Sequence, residues 1–267
     1  MVTWNLSELF ESVVDVVGDR DAVVTSTARW TYGDLEERAN RLAHVLSGHG
    51  VGAGDHVALA LRNGNEYLEG MLAAFKLRAV PINVNTRYTT DELTHLLRDA
   101  DPKVVLHEPD RLDHVRAAVT EGTPLLSRGA PYEEALAAAP STRLDVADRS
   151  GDDRYVLYTG GTTGHPKGVV WRHEDLLFAA LAGGNLGGDP VTAPEQVAQL
   201  AVSGRARCLP ASPFTHGTAH WTALATLLSG GTVIVDTGTN LDAARLWDLA
   251  ERERATILVI VGDAFAL

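Results

Sequence analysis

Residues 158–168 gather the residue types of a phosphate-binding loop into one short segment, YTGGTTGHPKG. Glycines let the backbone bend with positive φ and bring its N–H groups close to a ligand. Successive N–H groups directed into a turn form a concave site for an anion. Threonine hydroxyls add neutral donors, and Lys167 adds one mobile positive charge that suits phosphate. The segment is therefore expected to bind a polyphosphate.

The order of residues in this segment excludes two common nucleotide-binding fingerprints. In the Walker pattern G-x-x-x-x-G-K-[ST], the lysine directly follows a glycine and precedes a serine or threonine. Here two residues separate Gly164 from Lys167, and a glycine follows the lysine. The dinucleotide pattern G-x-G-x-x-G fails because the glycines at 160–161 are adjacent.

Apolar runs lie on both sides of the loop, at residues 155–158 and 169–171. Their length and their content of valine and tyrosine favour β-strands. Pro166 disfavours a helix start just before it. We therefore expect a strand–loop–strand flap, made mobile by its glycines. An ordinary hairpin connection rich in glycine and threonine is the alternative.

The loop with its continuation and three other segments resemble, in the same order along the chain, sequences of the adenylate-forming superfamily. The loop resembles its Thr/Ser/Gly-rich phosphate loop, and WRHED at 171–175 is most similar to the fatty-acyl-CoA synthetase branch. Residues 30–35 (WTYGDL) resemble the early TYxEL motif, residues 75–85 (FKLRAVPINVN) the KAGxxxVPxN motif, and residues 213–217 (PFTHG) the PxxHxxG motif. The resemblance covers essentially the whole chain and corresponds to the N-terminal portion of longer family members.

The resemblance implies an acyl-CoA synthetase that uses ATP, Mg²⁺ and CoA. Such an enzyme activates a carboxylic acid as an acyl-adenylate, releases pyrophosphate, and transfers the acyl group to CoA. The acid implied is a fatty acid, with aryl acids and sterol side-chain acids left open. The resemblance assigns catalytic roles to Thr163, Lys167 and His216. It assigns the phosphate contacts to Thr159, Gly160, Gly161, Thr162, Thr163, Gly164 and Lys167.

The acyl pocket is expected to involve His216, Trp221 and Gly262. The resemblance places His216 near the carboxylate and the α-phosphate. The residues alone favour His216 as a cap of the following helix, and they leave Trp221 open between pocket and core. His173 and Asp175 form too small a set for a metal site, so no metal ligand is predicted. Asn83 and its neighbours are expected to belong to the scaffold beside the loop.

No segment resembles the superfamily's adenine-binding YGxTE motif, its ribose-binding aspartate or its C-terminal adenylation lysine. Lys167 is not that lysine. The final residues follow 257–261, an apolar run expected to be a buried strand. We therefore expect an N-terminal fragment that is inactive alone. A truncated paralogue acting as a non-catalytic acyl- or nucleotide-binding or interaction module is the alternative, and a nucleotide hydrolase of another family is a third.

The composition, with 45% hydrophobic and 22% charged residues, is typical of a soluble globular protein. The net charge of −12 argues against a nucleic-acid partner, because binding of a phosphate backbone needs a dense basic surface. The single cysteine, Cys208, excludes an internal disulfide and is expected to be a buried thiol. No secretion signal or transmembrane segment is found in the sequence, so a cytoplasmic location is expected. A homodimer is left open.

Alternating helical and strand-like patterns predict an α/β fold with mainly parallel sheets flanked by helices. Thr89 and Glu92 have the spacing of a helix capping box. We expect two αβ sublobes, residues 1–150 and 151–267, with a surface crossing over 129–154. Strands are predicted at 57–61, 80–84, 103–106, 232–235 and 257–261, and helices after Thr31 and Asp175, near 195–202, at 219–228 and at 241–254.

Overall fold

The structure is a computed structural model of the chain, and it describes residues 2–161 and 164–261. These residues fold as two compact units. The first unit comprises the described residues of Met1–Glu36, Asn63–Asn65 and Glu174–Leu267, and the second comprises the described residues of Glu37–Arg62 and Glu66–His173.

Strands and helices alternate along the chain. The strands are β1 (Asp21–Val24), β2 (Arg29–Thr31), β3 (His56–Ala60), β4 (Val80–Asn83), β5 (Val104–His107), β6 (Leu125–Ser127), β7 (Arg154–Gly161), β8 (Gly164–Arg172), β9 (Arg207–Pro210), β10 (Thr232–Ile234) and β11 (Ile257–Val259). The α-helices are α1 (Leu6–Val17), α2 (Tyr32–Gly48), α3 (Asn65–Lys76), α4 (Thr90–Ala100), α5 (Leu112–Ala118), α6 (Ala130–Ala138), α7 (His173–Ala180), α8 (Glu195–Ala201), α9 (Gly217–Leu228) and α10 (Ala243–Arg252).

The first unit is built on a sheet with strand order β11-β9-β10-β1-β2. Four of these strands run parallel, and β2 pairs antiparallel with β1. Val24, Leu209 and Ile234 lie in neighbouring strands and pack against Leu246 and Leu249 of α10. The sheet thus buries one apolar stripe of this amphipathic helix.

The second unit is built on a sheet with strand order β6-β5-β3-β4-β7-β8. Its strands pair in parallel from β6 to β7, and β8 pairs antiparallel with β7. Ala58, Ile82 and Val105 of the central strands share a buried cluster with Leu96 and Leu97 of α4. Strands β3, β4 and β5 are buried along almost their full length, as expected for parallel strands covered by helices.

The predicted α/β fold with mainly parallel sheets is confirmed. The capping box at the start of α4 is also present, since the Thr89 hydroxyl accepts from Glu92 N–H and the Glu92 carboxylate accepts from Thr89 N–H. The predicted strand–loop–strand is found as β7 and β8. No helix of the described ranges is long and apolar enough to cross a bilayer.

The division of the chain differs from the expected boundary between residues 150 and 151. Strand β1 pairs with β10, with Val23 opposite Val233, so the beginning of the chain shares a sheet with its later part. Strand β7 joins the other sheet, with Val156 opposite Ile82. The segment expected to be a surface crossing also contains a helix, α6, whose Tyr132 and Leu136 are buried.

Candidate functional site

The glycine- and threonine-rich loop belongs to an antiparallel hairpin at the edge of the second sheet. In this hairpin Thr159 lies opposite Lys167, and Tyr158 lies opposite Gly168. The pairing is irregular between residues 159 and 161. Thr162 and Thr163, to which phosphate contacts were assigned, lie outside the described residues. The described part of the loop is therefore the two strands that lead into and out of it.

Thr159 and Lys167 present their polar groups on one face of the hairpin, because directly opposed side chains of paired strands share a face. Both side chains are exposed. The hairpin thus offers a hydroxyl and an ammonium from one face, a donor set that suits an anion.

Two glycines of the hairpin differ in the space around them. A Cβ built on Gly160 would meet no described atom within 4 Å. A Cβ on Gly168 would lie 2.9 Å from Val156 Cγ1 and 3.1 Å from Tyr158 Cζ. Gly168 therefore makes room for neighbouring side chains, whereas the space beside Gly160 is open to a ligand.

The base of the hairpin is fixed at Tyr158. Its N–H donates to Asn83 Oδ1 at 2.7 Å, and its carbonyl accepts from Asn83 Nδ2 at 2.8 Å. Its hydroxyl donates to Asp99 Oδ2 of α4 at 2.6 Å. Residues 83–88 were expected to belong to the scaffold beside the loop. In the structure, Asn83 of this segment holds the backbone of Tyr158 through two hydrogen bonds. The sequence contains no local signal for it, because the paired residues are far apart in the chain.

Helix α4 also contacts the outgoing strand of the hairpin. The rings of His95 and His165 stack with their centroids 4.2 Å apart and an angle of 22° between their planes. An open cleft of about 460 Å³ is lined by Asp91, Thr94, His95, Arg98, Asp99 and His165. Within the described residues, no group of three or more His, Cys, Asp or Glu side chains could hold a metal ion.

In the first unit, His216 and Trp221 are carried by α9. His216 is exposed at the N-cap position of the helix, and Trp221 is half-buried one turn further on. Asn63 holds the loop before them, because Phe214 N–H donates to Asn63 Oδ1 at 2.6 Å and Asn63 Nδ2 donates to Ser212 O at 3.1 Å. Gly262, the third residue assigned to the acyl pocket, lies outside the described residues.

His220 is a second histidine of α9, and no motif in the sequence points to it. Its side chain is fully buried, and its Nδ1 donates to Phe214 O at 2.5 Å. Burial lowers its pKa to about 4, so the ring is neutral near pH 7. Its ring lies 6.1 Å from that of Trp221 in an edge-on arrangement. His220 thus connects α9 to the loop before it through a buried hydrogen bond.

Three other residues considered for function, His173, Asp175 and Cys208, lie in surroundings typical of structural residues. His173 is buried at the start of α7, edge-on to Phe75 at 4.7 Å, and burial lowers its pKa to about 4. Asp175 is exposed in the first turn of the same helix. Cys208 is buried in β9 as expected, and burial raises the pKa of its thiol to about 11. A thiol with that pKa is a poor nucleophile at neutral pH.

The fold defines a two-unit α/β protein in which one sheet ends in an exposed Gly/Thr/Lys hairpin. A model of the AMP-binding enzyme family matches residues 10–267. The chain therefore belongs to the AMP-binding enzyme family.

Similar proteins include ligases that form acyl-CoA. A 3-oxocholest-4-en-26-oate–CoA ligase from Rhodococcus rhodochrous is 40% identical over 98% of this chain and 50% of its own length. A medium-chain acyl-CoA ligase, Mig, from Mycobacterium avium is 36% identical over 96% of this chain and 52% of its own. A solved fatty acyl CoA synthetase from Mycobacterium tuberculosis, 29% identical, superimposes with a TM-score of 0.80 over 96% of this chain and 49% of its own. This chain thus spans about half the length of these relatives.

Proposed function

We propose that this chain supplies the phosphate-loop half of an ATP-dependent, AMP-forming acyl-CoA synthetase that activates a carboxylic acid. One observation carries the proposal. The hairpin places the Thr159 hydroxyl and the Lys167 ammonium on one exposed face, in a chain that is 40% identical to an acyl-CoA ligase. The open space beside Gly160 is compatible with close approach of a phosphate to the backbone.

The chemical problem of the first half-reaction is electrostatic, because the acid and ATP are both anions. We infer that Lys167, Thr159 and the loop N–H groups bind the β- and γ-phosphates and retain pyrophosphate until the loop moves. Positioning and fixed positive potential lower the barrier without any proton transfer. Mg²⁺ would enter with the nucleotide and neutralise phosphate oxygens. Thr163 completes this catalytic set in the proposal.

The acid is proposed to lie against α9. His216 would face its carboxylate, and Trp221 and Gly262 would line the acyl pocket. A fatty acid is the proposed substrate, with CoA as the acceptor of the acyl group. A sterol side-chain acid is the second candidate, favoured by the relative that is named for such an acid. We also infer a cytoplasmic protein, with a homodimer as an open alternative to a monomer.

The chain alone is proposed to be inactive, and a non-catalytic binding module is the alternative for a reading frame that ends at residue 267. The deciding experiment measures AMP release by the protein translated from the complete reading frame, with ATP, CoA and a panel of acids. Acid-dependent AMP release supports the synthetase, and its absence for every acid contradicts it.

The contribution of the hairpin is tested in the same assay. Lys167→Ala and Thr163→Ala are expected to slow adenylate formation at least about tenfold. Lys103→Ala is the matched control, because Lys103 is another exposed lysine of the same unit and pairs with Asp55 at 3.1 Å. Unchanged rates in the Lys167 and Thr163 variants would remove the loop from the mechanism.

A further inference from the structure

We propose that Asn83 is a positioning residue of the phosphate hairpin, whose carboxamide fixes the backbone of Tyr158 and, through it, the Thr159–Lys167 pair. The effect on phosphate binding rests on the proposed function, whereas the effect on the hairpin itself does not.

Asn83 lies where the parallel pairing of two strands ends. Strand β4 pairs with β7 at Ile82 and Val156, and Asn83 is the last residue of β4. Its side chain then takes over the pairing, accepting from Tyr158 N–H at 2.7 Å and donating to Tyr158 O at 2.8 Å. A carboxamide carries one acceptor and one donor group, as a peptide unit does. Asn83 therefore extends the ladder by one residue beyond the backbone of β4.

This contact is buried and cannot be replaced by water without rearrangement. Asn83 is 5% exposed, and Tyr158 is 6% exposed. Removal of the carboxamide would leave both backbone polar groups of Tyr158 without their partner in a buried place. An unpaired buried donor or acceptor costs free energy of desolvation, so the backbone is expected to shift at residue 158 rather than stay in place.

The side chain of Tyr158 links the fixed backbone of residue 158 to α4 and to the second strand of the hairpin. Its hydroxyl donates to Asp99 Oδ2 at 2.6 Å, and burial together with the Asp99 carboxylate raises the pKa of Tyr158, so the donor keeps its proton. Its ring lies against Gly168, where a Cβ would come within 3.1 Å of Cζ. Tyr158 is thus held from β4 and α4 and lies against β8.

The polar face of the hairpin begins at the next residue. Thr159 follows Tyr158 directly and lies opposite Lys167. A fixed Tyr158 therefore fixes the cross-strand pair before a ligand arrives, and a site that is ordered in advance loses less conformational entropy on binding. We assign to Asn83 this role of ordering the hairpin, without contact to the ligand.

The first test measures amide hydrogen exchange of the chain at Tyr158 and at the hairpin peptides. Asn83→Ala is expected to speed exchange at Tyr158 N–H at least about tenfold, because this N–H donates to the Asn83 side chain. Asn85→Ala is the matched control, since Asn85 Oδ1 accepts only a local bond from Arg87 N–H at 2.9 Å among the contacts described for it. Equal exchange at Tyr158 in wild type and Asn83→Ala would overturn the proposal.

The second test titrates pyrophosphate and Mg-ATP into the same variants by calorimetry, at a temperature where each is folded. Asn83→Ala and Asn83→Asp are expected to bind about tenfold more weakly than wild type and Asn85→Ala. Asn83→Asp keeps the size and the acceptor but turns a carboxylate oxygen toward Tyr158 O, so it separates hydrogen bonding from packing. A purely structural role would lower the melting temperature and leave these affinities unchanged.

The outcomes separate the two proposals. If wild type and Asn85→Ala bind and the Asn83 variants bind equally well, the positioning role is wrong. If wild type binds neither pyrophosphate nor Mg-ATP, the proposed phosphate role of the loop fails, and the exchange experiment alone decides on Asn83. If Asn83→Ala does not fold, Asn83→Asp replaces it in the exchange experiment, and Tyr158→Phe, which removes only the bond to Asp99, becomes the control. Unchanged exchange at Tyr158 N–H in Asn83→Asp would then overturn the proposal.

Discussion

His220 is expected to make the first unit sensitive to acid. Its pKa of about 4 in the folded chain lies below the ordinary value of 6.5, because burial disfavours the charged ring. The unfolded chain therefore binds a proton at this residue at pH values where the folded chain does not. The stability that neutral His220 contributes is therefore complete above about pH 6.5 and is lost as the pH falls toward 4.

The magnitude follows from the two pKa values. One pKa unit corresponds to about 1.4 kcal/mol, so the full loss is about 3 kcal/mol at pH 4 and below. Between pH 7.5 and pH 5 the expected loss in the free energy of unfolding is about 2 kcal/mol. That is a large part of the stability of an ordinary domain.

The assay is urea unfolding at several pH values between 5 and 7.5, followed by tryptophan fluorescence, since Trp221 lies beside His220. Wild type is compared with His220→Gln, which cannot titrate in this range, and with His114→Gln, which alters an exposed histidine of α5. His220→Gln is expected to be less stable at pH 7.5 but to lose about 2 kcal/mol less than wild type on acidification. An equal loss in wild type and His220→Gln would refute the reasoning, because other groups would then cause the acid sensitivity.

Three further outcomes are expected. Gly168→Ala should lower the free energy of unfolding by about 1–3 kcal/mol in urea titrations, because its Cβ would lie 2.9 Å from a valine side chain. Gly160→Ala should leave the free energy of unfolding nearly unchanged, and equal effects of the two substitutions would contradict the close packing at Gly168. Asn63→Ala should cost about 1–3 kcal/mol, because it removes two hydrogen bonds to the loop over 212–214, and a melting temperature equal to that of wild type would argue against that support. The thiol of Cys208 should resist a disulfide reagent in the native chain and react after unfolding in urea, and fast native labelling would contradict its burial.

Local features of the fold and the site could be predicted from the sequence. The hairpin was predictable because valine- and tyrosine-rich runs flank a glycine-rich centre, and Tyr158 and Val170 lie within its two strands. The capping box at Thr89 was predictable because its two partners are three residues apart. The parallel sheets followed from short apolar runs alternating with helical patterns.

Contacts between distant parts of the chain could not be predicted in this way. The pairing of Val23 with Val233 joins the beginning of the chain to its later part, and no local pattern reports it. The hydrogen bonds between Asn83 and Tyr158 could not be predicted for the same reason, because they join residues 75 positions apart. His216 could be singled out because it stands in a recognisable motif, whereas the burial of His220 depends on how α9 packs.

The central claim, that the hairpin binds nucleotide phosphates, is tested most directly by calorimetric titration of pyrophosphate into the chain and two lysine variants. Lys167 is exposed on the face that carries Thr159, and Lys103 is an exposed lysine elsewhere in the same unit. Binding by wild type and Lys103→Ala, with affinity at least about tenfold weaker in Lys167→Ala, is the expected result. Equal affinity in all three proteins, or no binding by wild type, would contradict the claim.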